Sequence, residues 1–121
     1  KGLVTSRVGQ GYFRNLLVEK FDAKCAVTKT SIRKILIASH IVPWSEATEE
    51  ERLDPNNGIL LSPLYDALFD RHLISFDDNG KILVSERIAD ETSVLQVDRH
   101  AEITVDDGMK PFLARHRNKL Q

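Results

Sequence analysis

Four side chains follow one another along the chain in an order that fits a general base beside a divalent cation. They are His40, Asn57, Asp66 and Asp70. A histidine has a reference pKa of about 6.5 and can take a proton from water near neutral pH. Carboxylate oxygens are hard ligands, which suit Mg²⁺ or Mn²⁺ better than they suit a structural zinc ion.

The two aspartates carry an electrostatic cost that a cation would remove. Asp66 and Asp70 lie four residues apart, so they share one face of a helix. The helix dipole favours Asp66 near the N-terminus but not Asp70 near the C-terminus, and the like charges repel by roughly 0.2–0.5 kcal/mol. In the alternative interpretation Asp66 caps the helix and Asp70 forms an ion pair with Arg71 or another base.

The other two residues also have structural alternatives. A single histidine at the end of a strand often makes only structural hydrogen bonds, and Asn57 before Gly58 is typical of a turn. A catalytic site is favoured by the order of the four residues: the histidine on a strand, the asparagine on a loop and the aspartates on a helix.

Local patterns indicate the elements that hold these residues. The segment "KILIA" (34–38) has the β-branched composition of a buried strand, which leads into His40. The polar segment 45–58 is a loop with a short helical turn at 47–52, and "ILLS" (59–62) is a second apolar stretch. Ser62 is a good N-cap and Pro63 suits the first helical position, so a helix is expected through about residue 71.

The flanking segments complete an α+β pattern. Apolar residues at helical spacing predict a helix over 9–21. Asn79-Gly80 favours a tight turn inside a hairpin over 73–85. Residues 93–105 are expected to form another strand pair or irregular edge structure, and residues 110–120 a C-terminal helix.

Composition and charge narrow the class of protein. The chain has 121 residues, 41% hydrophobic and 29% charged, which is typical of a single soluble globular domain with no membrane-spanning segment. One cysteine, Cys25, excludes an internal disulfide and a CxxC zinc clip, and it favours a reducing, cytoplasmic setting. Because the chain begins without methionine, we expect a fragment of a longer protein.

The basic residues concentrate at the two ends of the chain. Lys and Arg recur in 1–34 and in 110–119, although the net charge is −1. If these ends meet in the fold they form a local basic face, and otherwise they are solvated surface charges.

The chain resembles the HNH nuclease module, in particular the subgroup found in restriction-type and other defence endonucleases. The resemblance covers most of the chain and is most specific in its two middle segments. Its pieces are "RVGQGYFRNLLVEKF", "CAVTKTSI", "ASHIVPW", "RLDPNNGILLSPLYDALFDRHLISF" and "FLARHR".

The resemblance implies a ββα-metal core over about residues 35–72, within a single nuclease domain over 1–121. His40 matches the general base that activates water against a phosphodiester, and Asn57 matches the asparagine that holds the loop and orients that histidine. Asp66 falls at the third letter of HNH, and Asp70 falls one helical turn later. These two would bind one divalent ion, Mg²⁺ or Mn²⁺, with Zn²⁺ or Ni²⁺ as alternatives.

Three positions depart from the family pattern. Ser39 stands where many relatives have an aspartate or histidine ligand directly before the general base. Asp66 stands at the third letter, where His or Asn is usual, and His72 stands where glycine is expected. Pro43 should end strand pairing after His40. Trp44 would then pack over the loop and help exclude water from one side of the site, or else it belongs to the core. Cys25 is expected in the core.

The sequence thus predicts a metal-dependent HNH endonuclease that cleaves DNA, as the effector part of a restriction or antiviral defence nuclease. Contacts with the phosphate backbone should dominate binding. The candidates for these contacts are Arg71, Arg115 and Arg117, of which the last two are otherwise solvated. Specificity would come from another domain of the polypeptide or from a homodimer. The alternatives are a non-catalytic ββα-metal module that binds DNA or protein, and a purely structural α+β domain.

Overall fold

A short antiparallel hairpin lies at the centre of the structure, a computed structural model that describes residues 6–121, with side chains from Val8 onward. Its strands pair Ile37 with Leu61 and His40 with Gly58. The helices and strands are α1 (Ser6–Lys20), β1 (Ile37–His40), α2 (Glu49–Leu53), β2 (Gly58–Leu61), α3 (Pro63–Asp70), β3 (Ile74–Phe76), β4 (Ile82–Val84), α4 (Thr92–Leu95) and α5 (Lys110–Arg117).

Helix α3 follows β2 and completes the expected ββα unit. Pro63 occupies the first turn of α3, where its missing N–H has no intrahelical partner to lose. Tyr65, Leu68 and Phe69 are buried and anchor the helix to the core. Ser62 stands at the N-cap position as predicted, but its side chain makes no capping hydrogen bond.

The start of β1 differs from the sequence prediction. Residues Arg33–Ile35 form a 3-10 turn, and the strand runs from Ile37 to His40 instead of over 34–38. The composition of residues 34–38 favoured an earlier start of the strand. β2, however, has only four residues to pair with β1. The Arg14 side chain, moreover, binds the carbonyl oxygens of Arg33 and Leu36 at 3.0 and 2.6 Å. These two carbonyl groups therefore face a helix and not a strand.

Helix α1 packs on the hairpin, as the helical spacing over 9–21 predicted. Phe13 and Leu17 are buried, and they approach Gly58 closely. A Cβ atom on Gly58 would lie 2.5 Å from Phe13 Cζ and 2.6 Å from Leu17 Cδ1. Gly58 has extended backbone angles, so glycine is required here by space and not by conformation.

A second hairpin and two helices cover the other side of the core. The predicted hairpin over 73–85 is confirmed as β3 and β4, with the turn at 77–81 and Gly80 in the left-handed region at φ +86°. Of the two alternatives for residues 93–105, the structure has the irregular one and not the strand pair. That region contains α4 and irregular chain, and among the described residues its one bridge joins Lys81 to Glu102.

Helix α5 docks through a buried histidine. His116 Nε2 donates to the Phe69 carbonyl oxygen at 2.8 Å, and its Nδ1 pairs with the Ser75 hydroxyl at 2.7 Å. Its ring stacks on Phe69 at 3.9 Å and packs beside His72. Burial lowers the pKa of His116 to about 4, because charging the ring would take it out of water without an acidic partner.

His72 shows why glycine was expected at its position. It directly follows the last turn of α3 with φ +59°, a left-handed conformation that ordinarily favours glycine after a helix. Its ring packs against His116, so here a side chain occupies the space.

The cations of the C-terminal segment have acidic partners, so this segment presents no open basic face; Lys1 at the other end lies outside the described residues. Lys110 pairs with Asp107, and Lys119 pairs with Glu46. Arg115 and Arg117 also bind carboxylates, as described below. None of the helices described over 6–121 is long and apolar enough to cross a bilayer.

Replacing Gly58 should destabilise the domain through the contact with α1. Gly58→Ala forces Phe13 and Leu17 to shift within a packed core, at an expected cost of about 1–3 kcal/mol in unfolding free energy. Gly11→Ala is the matched control, since nothing lies within 4 Å of its added Cβ. This helical control should gain up to about 1 kcal/mol. Urea unfolding measures both variants, and equal behaviour would contradict the close packing.

The buried His116 should make stability depend on pH. Because its folded pKa of about 4 lies below the unfolded value, the unfolded chain binds more protons between these values. Stability is therefore full above about pH 6.5 and falls by roughly 3 kcal/mol as the pH drops toward 4. The measurement is urea unfolding across this range.

His116→Gln is the comparison variant for this pH dependence. It should be less stable at pH 7, because the packing on Phe69 and Ser75 is lost, but its stability should fall less between pH 6.5 and 4. An equal acid loss in both proteins would assign the effect to other groups.

Candidate active site

His40 is held at the end of β1 with one ring nitrogen committed to the backbone. Its Nε2 lies 2.9 Å from the carbonyl oxygen of Arg52. A carbonyl oxygen only accepts hydrogen bonds, so Nε2 carries the proton in the neutral ring. The lone pair of the neutral imidazole therefore resides on Nδ1. This is the arrangement that a general base requires.

Two aromatic rings enclose the imidazole. Phe13 of α1 stacks on His40 at 3.8 Å between centroids and 4° between planes, and Trp44 meets it edge-on at 5.7 Å. Burial lowers the pKa of His40; the hydrogen bond to the Arg52 carbonyl oxygen opposes this, and the charge of the Arg52 side chain adds to it. The ring is thus kept neutral near pH 7, with its base form available.

Asn57 holds the loop that carries the Arg52 carbonyl. Its side chain is fully buried; Oδ1 accepts from the Val42 amide at 2.7 Å, and Nδ2 donates to the carbonyl oxygens of Val42 and Glu51 at 3.3 and 3.1 Å. The side chain thereby ties the residues after β1 to α2. Since Arg52 directly follows Glu51, the hydrogen bonds of Asn57 and of His40 meet on adjacent carbonyl groups of this loop.

Arg52 is a site residue that the sequence reasoning missed. Its Nε donates to the Trp44 carbonyl oxygen at 2.9 Å, and its guanidinium lies 4.8 Å from the centre of the Trp44 ring. This interaction holds Trp44 beside His40, so the tryptophan packs at the site, half-buried, instead of lying in the core. In the sequence, Arg52 is one charge within a polar loop, and its tertiary partners carry the signal.

The two aspartates lie on α3, across β1 from the histidine. Asp66 is half-buried and Asp70 is exposed. Burial raises the pKa of Asp66, and the charge of Asp70 adds to this rise, whereas the Ser39 hydroxyl and Arg71 oppose it. A carboxylate in this environment gains from a nearby cation, because the cation favours its charged form.

Strand alternation separates the two halves of the site. Ser39 and His40 are neighbours in β1, so their side chains point to opposite faces of the hairpin. Ser39 is buried beside Asp66 of α3, whereas His40 packs on Phe13 of α1. A substrate group in reach of both halves must lie at the end of β1.

The candidate metal ligands on α3 are few. Over residues 6–121, no three His, Cys, Asp or Glu side chains come close enough together to hold a metal ion. Asp66 and Asp70 therefore stand as a pair, with the Ser39 hydroxyl beside Asp66.

The arginines predicted to bind DNA lie in different environments. Arg71 is exposed and directly follows α3, close enough to Asp66 to lower the pKa of that carboxyl. Arg115 binds Glu51 at 2.8 Å, and Arg117 binds Asp78 at 3.1 Å and the Phe76 carbonyl oxygen at 3.0 Å. Binding of a phosphate by either of these two would therefore compete with an existing ion pair.

Cys25 belongs to the core, as predicted. Its buried sulfur accepts backbone N–H groups from Val27, Thr28 and Ser62 at 3.2–3.4 Å. The last of these bonds ties the chain before β1 to the junction of β2 and α3.

The comparison with family models decides the family of this core. Residues 25–77 match the model described as HNH endonuclease. These residues belong to the HNH endonuclease family. The HNH segment contains β1, β2, α3 and β3, with His40, Asn57, Asp66 and Asp70, whereas α1 and α5 lie outside it. A search of the curated proteins finds no match for the chain.

Removing the Asn57 amide should loosen the loop between β1 and β2. Asn57→Ala leaves buried groups of Val42 and Glu51 without partners, and each such group costs about 1–3 kcal/mol. We expect a loss of several kcal/mol in urea unfolding and faster hydrogen exchange at the Val42 amide. Asn56→Ala is the control: Asn56 Oδ1 accepts a hydrogen bond from Lys20 alone among the described residues, so stability should change by about 0.5 kcal/mol or less. Unchanged exchange at Val42 would contradict this role of Asn57.

Proposed function

We propose that the domain is a divalent-metal-dependent endonuclease that hydrolyses DNA phosphodiester bonds, as the effector part of a restriction or antiviral defence nuclease. The observation that carries the proposal is the hydrogen bonding of the His40 ring. Its Nε2 is fixed by the Arg52 carbonyl, its Nδ1 is left to accept a proton, and its strand borders the carboxylates of α3. HNH family membership of residues 25–77 supports nuclease chemistry at this position.

The residues on α3 fit a magnesium-type ion better than a structural zinc ion. Mg²⁺ is commonly bound by one or two carboxylates together with water and substrate phosphates, and Mn²⁺ accepts the same oxygen ligands. Asp66 and Asp70 supply such a pair, and the raised pKa of Asp66 reflects burial that a cation would offset. A structural zinc site needs four protein ligands, typically cysteine and histidine, which this pair does not provide.

In this proposal each residue has a defined task. His40 takes a proton from the attacking water at Nδ1, while Phe13 and Trp44 shield the ring from solvent. Asn57 keeps the Arg52 carbonyl in place, and Asp66 and Asp70 hold the cation. When bound, that ion supplies stabilisation of the charge that develops on the phosphate and on the leaving 3′ oxygen.

The remaining expectations concern partners and setting. Arg71 is the exposed candidate for a phosphate contact, and Arg115 and Arg117 would serve only if their ion pairs opened. A further domain of the polypeptide or a homodimer would supply specificity, because backbone contacts alone read no sequence. A reducing, cytoplasmic setting is part of the same proposal.

Substitution of the base tests the proposed function. His40→Ala should abolish Mg²⁺- or Mn²⁺-dependent nicking of plasmid DNA, a loss of at least about 100-fold, while the domain stays folded. His100→Ala is the matched control, because His100 is exposed and lies outside the HNH segment. Cleavage by His40→Ala at the wild-type rate would refute the mechanism.

A non-catalytic ββα-metal module is the second candidate. The observation that favours it is Ser39, a poor metal ligand, next to a carboxylate pair with no third acidic or histidine partner among residues 6–121. Binding of Mn²⁺, followed by its electron paramagnetic resonance signal, distinguishes the two. Binding that Asp66→Ala removes, without any cleavage by the wild type, would favour the module.

A further inference from the structure

A groove lies beside His40 on the α1 side of β1. Its volume is about 330 Å³, and its polar lining comes from Gln10, Arg14 and His40. Phe13, Leu36 and Ile37 supply apolar walls. None of the described residues that line the groove is acidic. His40 thus borders a space where, among the described residues, the formal charge comes from Arg14.

Arg14 is fixed in position by the backbone of a neighbouring turn. Its Nη1 donates to the Leu36 carbonyl oxygen at 2.6 Å, and its Nη2 donates to that of Arg33 at 3.0 Å. These two bonds use two of the five N–H groups of the guanidinium. The other three remain for a ligand, on a side chain whose direction is already set.

The charge of Arg14 has no carboxylate partner. Among residues 8–121, no Asp or Glu oxygen lies within ion-pair distance of its guanidinium. The arginines of α5 differ in this respect, since Arg115 and Arg117 both bind carboxylates. A half-buried guanidinium that binds only carbonyl groups keeps its full positive charge, and planar oxyanions such as phosphate complement its donor geometry.

We propose that Arg14 binds a phosphate of the substrate DNA strand in this groove. The proposal rests on the proposed nuclease function, and it adds a binding residue from α1, outside the HNH segment. His40 faces α1, whereas Asp66 and Asp70 lie on α3, so the attacked phosphate must lie at the end of β1. A strand that continues from there on the α1 side enters the groove, where its next phosphates meet Arg14.

The contact sets the path of the strand and takes no part in proton transfer. A phosphate bound by Arg14 fixes the DNA backbone against the apolar walls and so limits how the attacked group presents itself to His40. Such positioning contacts supply most of the affinity of sequence-independent binding, and each contributes about one counterion to its salt dependence.

The experiment measures DNA binding in the His40→Ala background, where the strand is not cut. Fluorescence anisotropy with a short labelled duplex gives Kd at several salt concentrations. Arg14→Gln should weaken binding by at least about tenfold at low salt and reduce the slope of log Kd against log salt by about 1. Arg14→Lys keeps the charge and should restore the slope. Its affinity should recover only partly, because an ammonium group lacks the planar, bidentate N–H donors of a guanidinium.

Arg99→Gln is the matched control. Arg99 is exposed, donates to the Ala89 carbonyl oxygen at 3.2 Å and lies far along the chain from the groove. It should leave both affinity and salt slope unchanged. An equal loss with Arg99→Gln would show a general charge effect and overturn the proposal.

The outcomes separate this inference from the proposed function. If the wild type cuts DNA but Arg14→Gln keeps the full salt slope, only the role of Arg14 is overturned. If Arg14→Lys has the same reduced slope as Arg14→Gln, the loss comes from disturbed packing of the 33–36 turn, and the phosphate contact is also refuted. If the wild type neither cuts nor binds DNA, the nuclease function itself fails.

Discussion

The structure depends on the pairing of two four-residue strands. The register that joins His40 to Gly58 places consecutive residues of β1 on opposite faces, so Ser39 meets α3 and His40 meets α1. A slip by one residue would exchange these faces and turn the histidine toward the carboxylates. The glycine opposite His40 is part of the same constraint, because α1 approaches the hairpin too closely for a Cβ atom. The placement of Ser39 and His40 on opposite faces is thus a consequence of backbone pairing.

Backbone carbonyl groups fix the orientation of the side chains at the site. His40 is oriented by the carbonyl of Arg52, and Asn57 secures the loop through the backbone of Val42 and Glu51. Backbone acceptors do not titrate, so they define the tautomer of a base over a wide pH range. His116 also makes such a hydrogen bond, since its Nε2 donates to the Phe69 carbonyl oxygen. The two histidines differ in surroundings, since His116 lies in the core and His40 borders an open groove.

Much of the fold and of the site could be predicted from local patterns. Helical spacing identified α1, turn residues identified the β3–β4 hairpin, and the ββα order follows from a strand, a polar loop and a proline-initiated helix. The strand start at residue 34 was wrong, because the side chain of Arg14 binds carbonyl groups of that segment. Of the two alternatives for residues 93–105, the irregular structure is the one found, since β4 has only three residues and offers little edge for pairing. Both outcomes depend on long-range partners.

The sequence by itself determined the family of residues 25–77 and the order of His40, Asn57, Asp66 and Asp70, since these are properties of residue types at short spacing. Only the tertiary structure decided that Asn57 binds backbone groups of Val42 and Glu51, that Arg52 holds Trp44 beside His40, and which lysine and arginine side chains form ion pairs. The physical reason is that such interactions join groups distant along the chain. Arg115 and Glu51 have ordinary sequence contexts, and the ion pair between them exists only because α5 docks near α2.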